Sequence, residues 1–366
     1  GNNEMEWGWV EWGWKEKMGD ELKEGYDRLF HHVLPQVCAH EDPDTPYWPS
    51  SPSSGTPFVD PNGESAGDGH YWEVWHGMAP FTEYRKHFHR FVSEFGFQAL
   101  PHIETIKTFS SQEDLNLTSY VMEHHQRHPR GNEVLISYLA RTFRIPKDFE
   151  SLVYLTQVLQ AEAIRYGVEH WRRNRHRVSG TLYWQLNDCW QVISWASIDY
   201  FGRWKALHYA AKRFYAPVLI SAEEEEKRVK LHVTNDLLER FEGIVRWSLE
   251  TMDGDIIESG EKDISIPPQL SKQIVSLNFS RTVNDELERK VVLVYELLSN
   301  GERMQIGTVC FVPPKHLELK PPEISIQVKE RKDKFEIQLK SKRLAKFVWL
   351  YLPGVDVPFS DNFFDM

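Results

Sequence analysis

The chain has 366 residues, 41% hydrophobic and 13% aromatic, enough to bury two or three cores, and no run approaches the roughly 18 apolar residues of a membrane span. Its 43 Lys and Arg against 54 Asp and Glu leave a net charge of -11, which argues against nucleic acid or a membrane as partner and favours a neutral ligand. Three scattered cysteines, Cys38, Cys189 and Cys310, suggest neither a disulfide framework nor a zinc knuckle and slightly favour a reducing, cytoplasmic setting, while the absence of a secretory signal in residues 1 to 20 says little if the true N-terminus lies upstream.

The first residues, Gly-Asn-Asn-Glu, read as the end of a buried strand that delivers a carboxylate, yet no turn or cap precedes them. Either Glu4 is an ordinary surface acid or the sequence starts inside a larger element. Next, Asp20 can cap a helix with Leu22, Tyr26, Leu29, Phe30 and Val33 on one stripe. Four strand-like runs follow: TPYWPSSP, GHYWEVWHG, HRFVSEFGF and, much later, SGTLYWQLND. Between the last two, a helix is expected from Phe149 to Arg173, with Leu152, Leu155, Leu159, Ala163 and Trp171 near one face. Strand and helix taking turns up to about residue 215 reads as parallel β/α units.

The texture changes at SAEEEEK, where Glu223 to Glu226 reads as a solvated linker edge. Alternating strands follow, with Asp253-Gly254 and Asn300-Gly301 in hairpin-turn positions, and about seven short strands suggest an immunoglobulin-like sandwich. The pairs Pro313-Pro314 and Pro321-Pro322 mark a linker before a further β-rich segment that runs from Glu323 to Met366. The expected class is therefore α/β plus all-β, divided into 1–216, 217–314 and 315–366.

Chemistry is expected in the first part, because of the 14 tryptophans only Trp247 and Trp349 lie beyond residue 210. Glu94 ends an apolar strand that runs into a glycine, and Glu4 has a similar context. In a β/α barrel such positions point into the active face. Two glutamates at strand ends among tryptophans is the pattern glycoside hydrolysis requires: one attacks the sugar carbon, the other protonates the leaving oxygen, and aromatic faces stack on the rings. The competing reading is that each is a solvated or ion-paired acid. His31-His32, His87 with His89, and His124-His125 with His128 resemble ligand sets by count, but none has the His-Glu-x-x-His form, so no metal site is assigned. Asp188 and Asp199 read as loop anchors, and the basic run from Arg172 to Arg177 as a helix end.

The stretches GNNE, SEFGFQ and above all GTLYWQLNDCW with SWASIDYFGRWKALHYAAKRFYAP resemble the β-mannosidases of the glycoside hydrolase family that also holds β-galactosidases and β-glucuronidases. The resemblance runs along essentially the whole chain. It implies the C-terminal half of a (β/α)8 TIM barrel, an immunoglobulin-like sandwich and the start of a second β domain, with the N-terminal half of the same protein missing. It implies Glu4 as acid/base at the end of the fourth barrel strand and Glu94, 94 − 4 = 90 positions on, as nucleophile at the end of the seventh. Asn3 would bond the sugar 2-hydroxyl, Trp184 would floor the site ahead of a cis Trp184-Gln185 bond, and Trp12, Trp72, Trp75 and His76 are candidates to shape the pocket against the alternative of plain packing.

The resemblance further implies removal of terminal β-mannose from oligosaccharides with retention, without metal or organic cofactor. Retention requires carboxyl groups about 5 to 5.5 Å apart, and a gap beyond about 6.5 Å would mean inversion. The acid is expected to have a raised pKa while the Glu94 charge persists. The rival readings are a β-galactosidase or β-glucuronidase of the same family, and a noncatalytic carbohydrate-binding or scaffold protein.

Overall fold

Parallel pairing organises the first part of the chain, although less of it is regular strand than the sequence suggests. The computed structural model describes residues 2–366, and Gly1 of the Gly-Asn-Asn-Glu run lies outside the described residues. Of the four expected strand runs, two become strands: β1 (Gly69–Tyr71) and β2 (Val92–Phe95), paired in parallel with His70 opposite Glu94. The other two contribute single parallel bridges, Ser51 to Asn3, Thr181 to Val92 and Trp184 to Gly96. Pro46, Pro49 and Pro52 deprive the first run of the N–H donors a ladder needs.

The chain divides into two compact units, one made of the residues up to Phe97 with Tyr166–Trp184, the other of Gln98–Arg165 with Gln185–Met366. In the first, Val92, Phe95 and Phe97 are fully buried, and the Trp171 ring meets Phe95 edge-on at 4.7 Å. The helix carrying Trp171 spans Phe149–Arg173, as its periodicity predicts, with Leu159, Ala163 and Trp171 buried. The Asp20 helix departs from expectation. Gly19, at φ +75°, occupies the cap, Asp20 is the first residue of Asp20–Asp27, and a π-helical turn over Arg28–Val33 follows. The extra residue per π turn rotates the apolar face, so Tyr26 is buried while Leu29 and Val33 are exposed. No helix among the described residues is long and apolar enough to cross a membrane.

In the second unit, β3 (Val218–Glu225), β4 (Arg228–Asn235) and β7 (Leu270–Asn278) form one antiparallel sheet. The other has the order β6 (Ile256–Ile266), β5 (Phe241–Thr251), β8 (Val291–Ser299), β9 (Glu302–Cys310). Alternate residues face inward, and Val229, Leu231 and Val233 join Val245, Leu249, Leu293, Tyr295 and Leu297 in one core. Asn300 and Gly301 both take positive φ, 52° and 78°, the two-residue turn that matches strand twist. The acidic run is not a linker: Glu223, Glu224 and Glu225 pair with β4, and Glu223 lies 3.4 Å from His232. A further hairpin, β10 (Ser325–Glu330) with β11 (Phe335–Lys340), leaves Ile326, Val328 and Phe335 exposed.

Two loop anchors expected from sequence also hold. Asp199 accepts the Phe201 and Arg203 amides at 3.0 Å each and the Thr105 hydroxyl, and Asp188 accepts from Gln185. Near the chain's last residues Lys346 and Asp365 form an ion pair joined by Thr308. Burial pushes the Asp365 carboxyl up, but the Lys346 ammonium prevails and holds it below the ordinary aspartate range. A depressed carboxyl contributes stability that is present above its unfolded pKa and lost as pH falls through the folded one. Asp365→Asn is therefore expected to destabilise the fold by about 3 kcal/mol at neutral pH, read by urea denaturation, because it leaves a buried ammonium unpaired. The difference from the parent should shrink on acidification.

Candidate active site

Register brings the acidic groups together. His70 and Glu94 are directly paired on the parallel strands β1 and β2, and neighbours in register present their side chains to the same face. Glu4 reaches the same place by another route. Asn3 bridges Ser51, the Glu4 amide donates to the Ser51 carbonyl at 2.7 Å, and Glu4 itself adopts a left-handed conformation, φ 56°. That conformation is unusual for a residue other than glycine. Helix Met5–Glu11 starts immediately after it.

The result is a compact charged cluster. His70 Nδ1 lies 2.9 Å from Glu4 Oε1 and 3.8 Å from Glu94 Oε1, and the facing atoms of all three side chains lie within 4.8 Å of one another. Trp72 Nε1 donates to Glu94 Oε1 at 3.1 Å. On the far side of the ring, His70 Nε2 is 3.0 Å from Ser51 Oγ, which donates to Asp68 Oδ2 at 2.7 Å. Asp68 also accepts from Ser93, the Ser53 amide and Trp48 Nε1. Asn62 clamps the His70 backbone, accepting its amide at 2.8 Å and donating to its carbonyl at 3.0 Å. Gly67, at φ +67°, is required here: a Cβ would fall 1.8 Å from the Ser53 carbonyl oxygen.

Burial pushes the Glu94 carboxyl above its ordinary value, and the Glu4 charge adds to this, while His70 and the Trp72 hydrogen bond oppose it. The elevation thus falls on the carboxyl expected to serve as nucleophile, and its main cause is loss of solvent rather than the neighbouring acid.

The other predicted residues separate into wall and core. Trp72 touches Glu94, and the His76 ring lies tilted against Trp72 at 4.9 Å but is exposed. Trp75 is a correction: it is fully buried, edge-on to Phe97 at 4.9 Å, and belongs to the core rather than to the pocket wall. Trp12 is 40% exposed and packs on Trp7 and Trp14. Asn3 is exposed, and Trp184 is 45% exposed beside Gly96, two residues beyond Glu94. The cis peptide among the described residues is Ser51-Pro52, and the expected cis Trp184-Gln185 bond is not present.

Sequence reasoning missed His70, Ser51, Asp68 and Trp7, whose ring meets His70 edge-on at 6.4 Å. One signal was available, since His70 starts the HYW run that carries Trp72. The histidine sets flagged by count are structural: His31 bonds buried Glu6 at 2.8 Å, His87 bonds Glu64 at 2.7 Å, and His125 stacks on Phe109 and Trp190. Among the described residues, the group with spacing suited to a cation is instead Glu4, His70 and Glu94.

Two carboxylates thus converge beside an imidazole that the parallel strand pair carries, in a chain that also holds immunoglobulin-like sheets. The Mannosidase Ig/CBM-like domain family matches residues 227–316 and an Ig-fold domain family matches 319–366. The chain is 29% identical over 377 residues to the β-mannosidase of Rattus norvegicus, covering 93% of this chain and 42% of that protein. It is 31% identical over 339 residues to β-mannosidase B of Aspergillus clavatus, covering 87% and 40%. The crystal structure of the β-D-mannosidase from Dictyoglomus thermophilum superposes with a TM-score of 0.91 at 36% identity, over 100% of this chain and 44% of that one. The chain is similar to β-mannosidases over most of its length, and it spans 40 to 42% of the length of these curated relatives.

The elevated Glu94 pKa has a defined sign. Between its unfolded and folded values the native state binds more protons, so stability falls as pH rises through that window. Glu94→Gln is expected to stabilise the chain above the window and to have no effect below it, as thermal melts across pH will read. Trp72→Phe should raise the Glu94 pKa further, and Glu4→Gln should lower it, as followed by carboxyl carbon NMR.

Proposed function

We propose that this chain carries the catalytic pair of a retaining β-mannosidase that removes terminal β-mannose from oligosaccharides. Residues 1–216 would be the C-terminal half of a (β/α)8 barrel, 217–314 the sandwich and 315–366 part of a second β domain. The observation that carries the reading is the approach of Glu4 and Glu94, whose nearest carboxyl oxygens lie within 4.8 Å. Retention calls for carboxyl groups about 5 to 5.5 Å apart, inversion for a gap of about 6.5 Å or more that admits a water.

In the first step a Glu94 oxygen attacks the anomeric carbon, the glycosidic C–O bond breaks, and Glu4 gives its proton to the departing oxygen. In the second, Glu4 takes a proton from water, the water oxygen bonds to the anomeric carbon, and Glu94 leaves as a carboxylate. Trp72 holds Glu94 in place through its indole N–H. In this reading Asn3 would bond the sugar 2-hydroxyl, Trp184 would floor the ring, and Trp12 and His76 would form the outer rim. The preference for mannosides over galactosides or glucuronides rests on the names of the relatives.

We further infer that turnover belongs to the longer chain that includes the other barrel strands, since half a barrel would leave an open sheet edge and an incomplete sugar site. Residues 1–366 alone are expected to hydrolyse aryl β-mannosides negligibly. In the longer chain, a 2-fluoro mannosyl donor should label Glu94, Glu94→Ala should abolish turnover, and Glu4→Gln should lower kcat by about 10²- to 10⁴-fold for poor leaving groups. Labelling at another residue, or faster turnover of galactosides or glucuronides across an aryl glycoside panel, would overturn the assignment.

A further inference from the structure

The hydrogen bonds behind His70 fix how many protons the catalytic cluster holds. Asp68 accepts from four donors: the Ser53 amide and Trp48 Nε1 on Oδ1, both at 3.0 Å, and the Ser51 and Ser93 hydroxyls on Oδ2. A carboxylate is acceptor-only, and four donors leave no acceptor for a carboxylic-acid hydrogen. Ser51 owns one hydroxyl hydrogen and directs it to Asp68 at 2.7 Å, so towards His70 Nε2, 3.0 Å away, it presents a lone pair. Nε2 must therefore carry a hydrogen. The tautomer follows from this network, and the ring is held by its contacts at both nitrogens and by Asn62 on its backbone, with His70 only 2% exposed.

The consequence appears at the other nitrogen. Nδ1 faces Glu4 Oε1 at 2.9 Å, and two bare lone pairs cannot sit at that distance. One hydrogen lies between them, either on Nδ1 as imidazolium against a carboxylate or on Glu4 as a carboxylic acid donating to neutral imidazole. We propose that Glu4 and His70 hold a single shared proton, and that His70 is a positioning residue that keeps this proton on the acid/base until the leaving group takes it. The role in turnover rests on the reading of Glu4 as acid/base, while the shared proton does not.

In the forward step, the proton passes to the glycosidic oxygen as the C–O bond breaks. Nδ1 and the Glu4 carboxylate are then left with opposed lone pairs. That repulsion makes Glu4 a stronger base towards the incoming water, whose proton restores the starting state. The charged groups facing the pair are Glu94, 3.8 Å from Nδ1, and Asp68 through Ser51, while the Trp7 ring that covers His70 is neutral.

The pair can be observed in residues 1–366 without turnover, by nitrogen and proton NMR of ¹⁵N-histidine-labelled protein. Expected are an Nε2-protonated His70 throughout the neutral range and a strongly downfield Nδ1···Glu4 proton that disappears in Glu4→Gln. Asp68→Asn, whose amide can donate to Ser51 and free its hydroxyl to point at Nε2, should switch the ring to the Nδ1-protonated tautomer. A bare Nε2 in the parent, or a ring signature unchanged in both variants, would overturn the proposal. In the longer, active chain His70→Gln should lower kcat about 10²-fold, leave KM within about two-fold, and move the basic limb of the kcat/KM profile to lower pH. An unmoved profile with a raised KM would overturn the positioning role. Absence of turnover in the parent longer chain, with the NMR signature intact, would instead refute the glycosidase reading and support the shared proton.

Discussion

The structure of the site depends on a buried imidazole placed between two carboxylates. Bringing Glu4 and Glu94 within 4.8 Å of each other is unfavourable by like-charge repulsion, and taking them partly out of water adds to the cost. His70 relieves the first problem, since its Nδ1 faces both acids. It can do so only because Asp68 and Ser51 hold the opposite nitrogen as a donor. Asp68, Ser51, His70 and Glu4 are thus joined in one hydrogen-bonded chain.

The backbone devices around this cluster have the same purpose. Gly67 allows the segment before Asp68 to pass against the Ser53 carbonyl, where a side chain would collide. Glu4 holds a left-handed conformation just before a helix, with its amide bonded to Ser51. Such conformations persist where surrounding contacts over-determine them, and they concentrate at functional sites. The raised pKa of Glu94 carries a related tension, because burial disfavours its ionised form.

The second unit handles buried charge differently. Lys346 and Asp365 neutralise one another directly, and Lys205, brought down to about 8 by burial, rests on the Ala99 and Ser194 carbonyls. These ions stand beside aliphatic cores built by simple alternation, as in β4 and β8.

The helix over Phe149–Arg173, the hairpin at Asn300-Gly301 and the strands of the sandwich were legible in the sequence because local periodicity and turn chemistry specify them. Glu4 and Glu94 were legible as candidates through strand-end context and resemblance. His70 was not, nor was the burial of Trp75 or the pairing of Glu223 with β4, since each follows from contacts between segments far apart in the chain. The bond from His70 to Glu4 spans 66 residues, and no local pattern encodes which side chains a parallel register will set opposite one another. Sequence alone determined the long helix, the sandwich strands and which acids were available. Tertiary structure decided which of those acids meet His70, because that depends on distances of about 3 Å that only the assembled strands create.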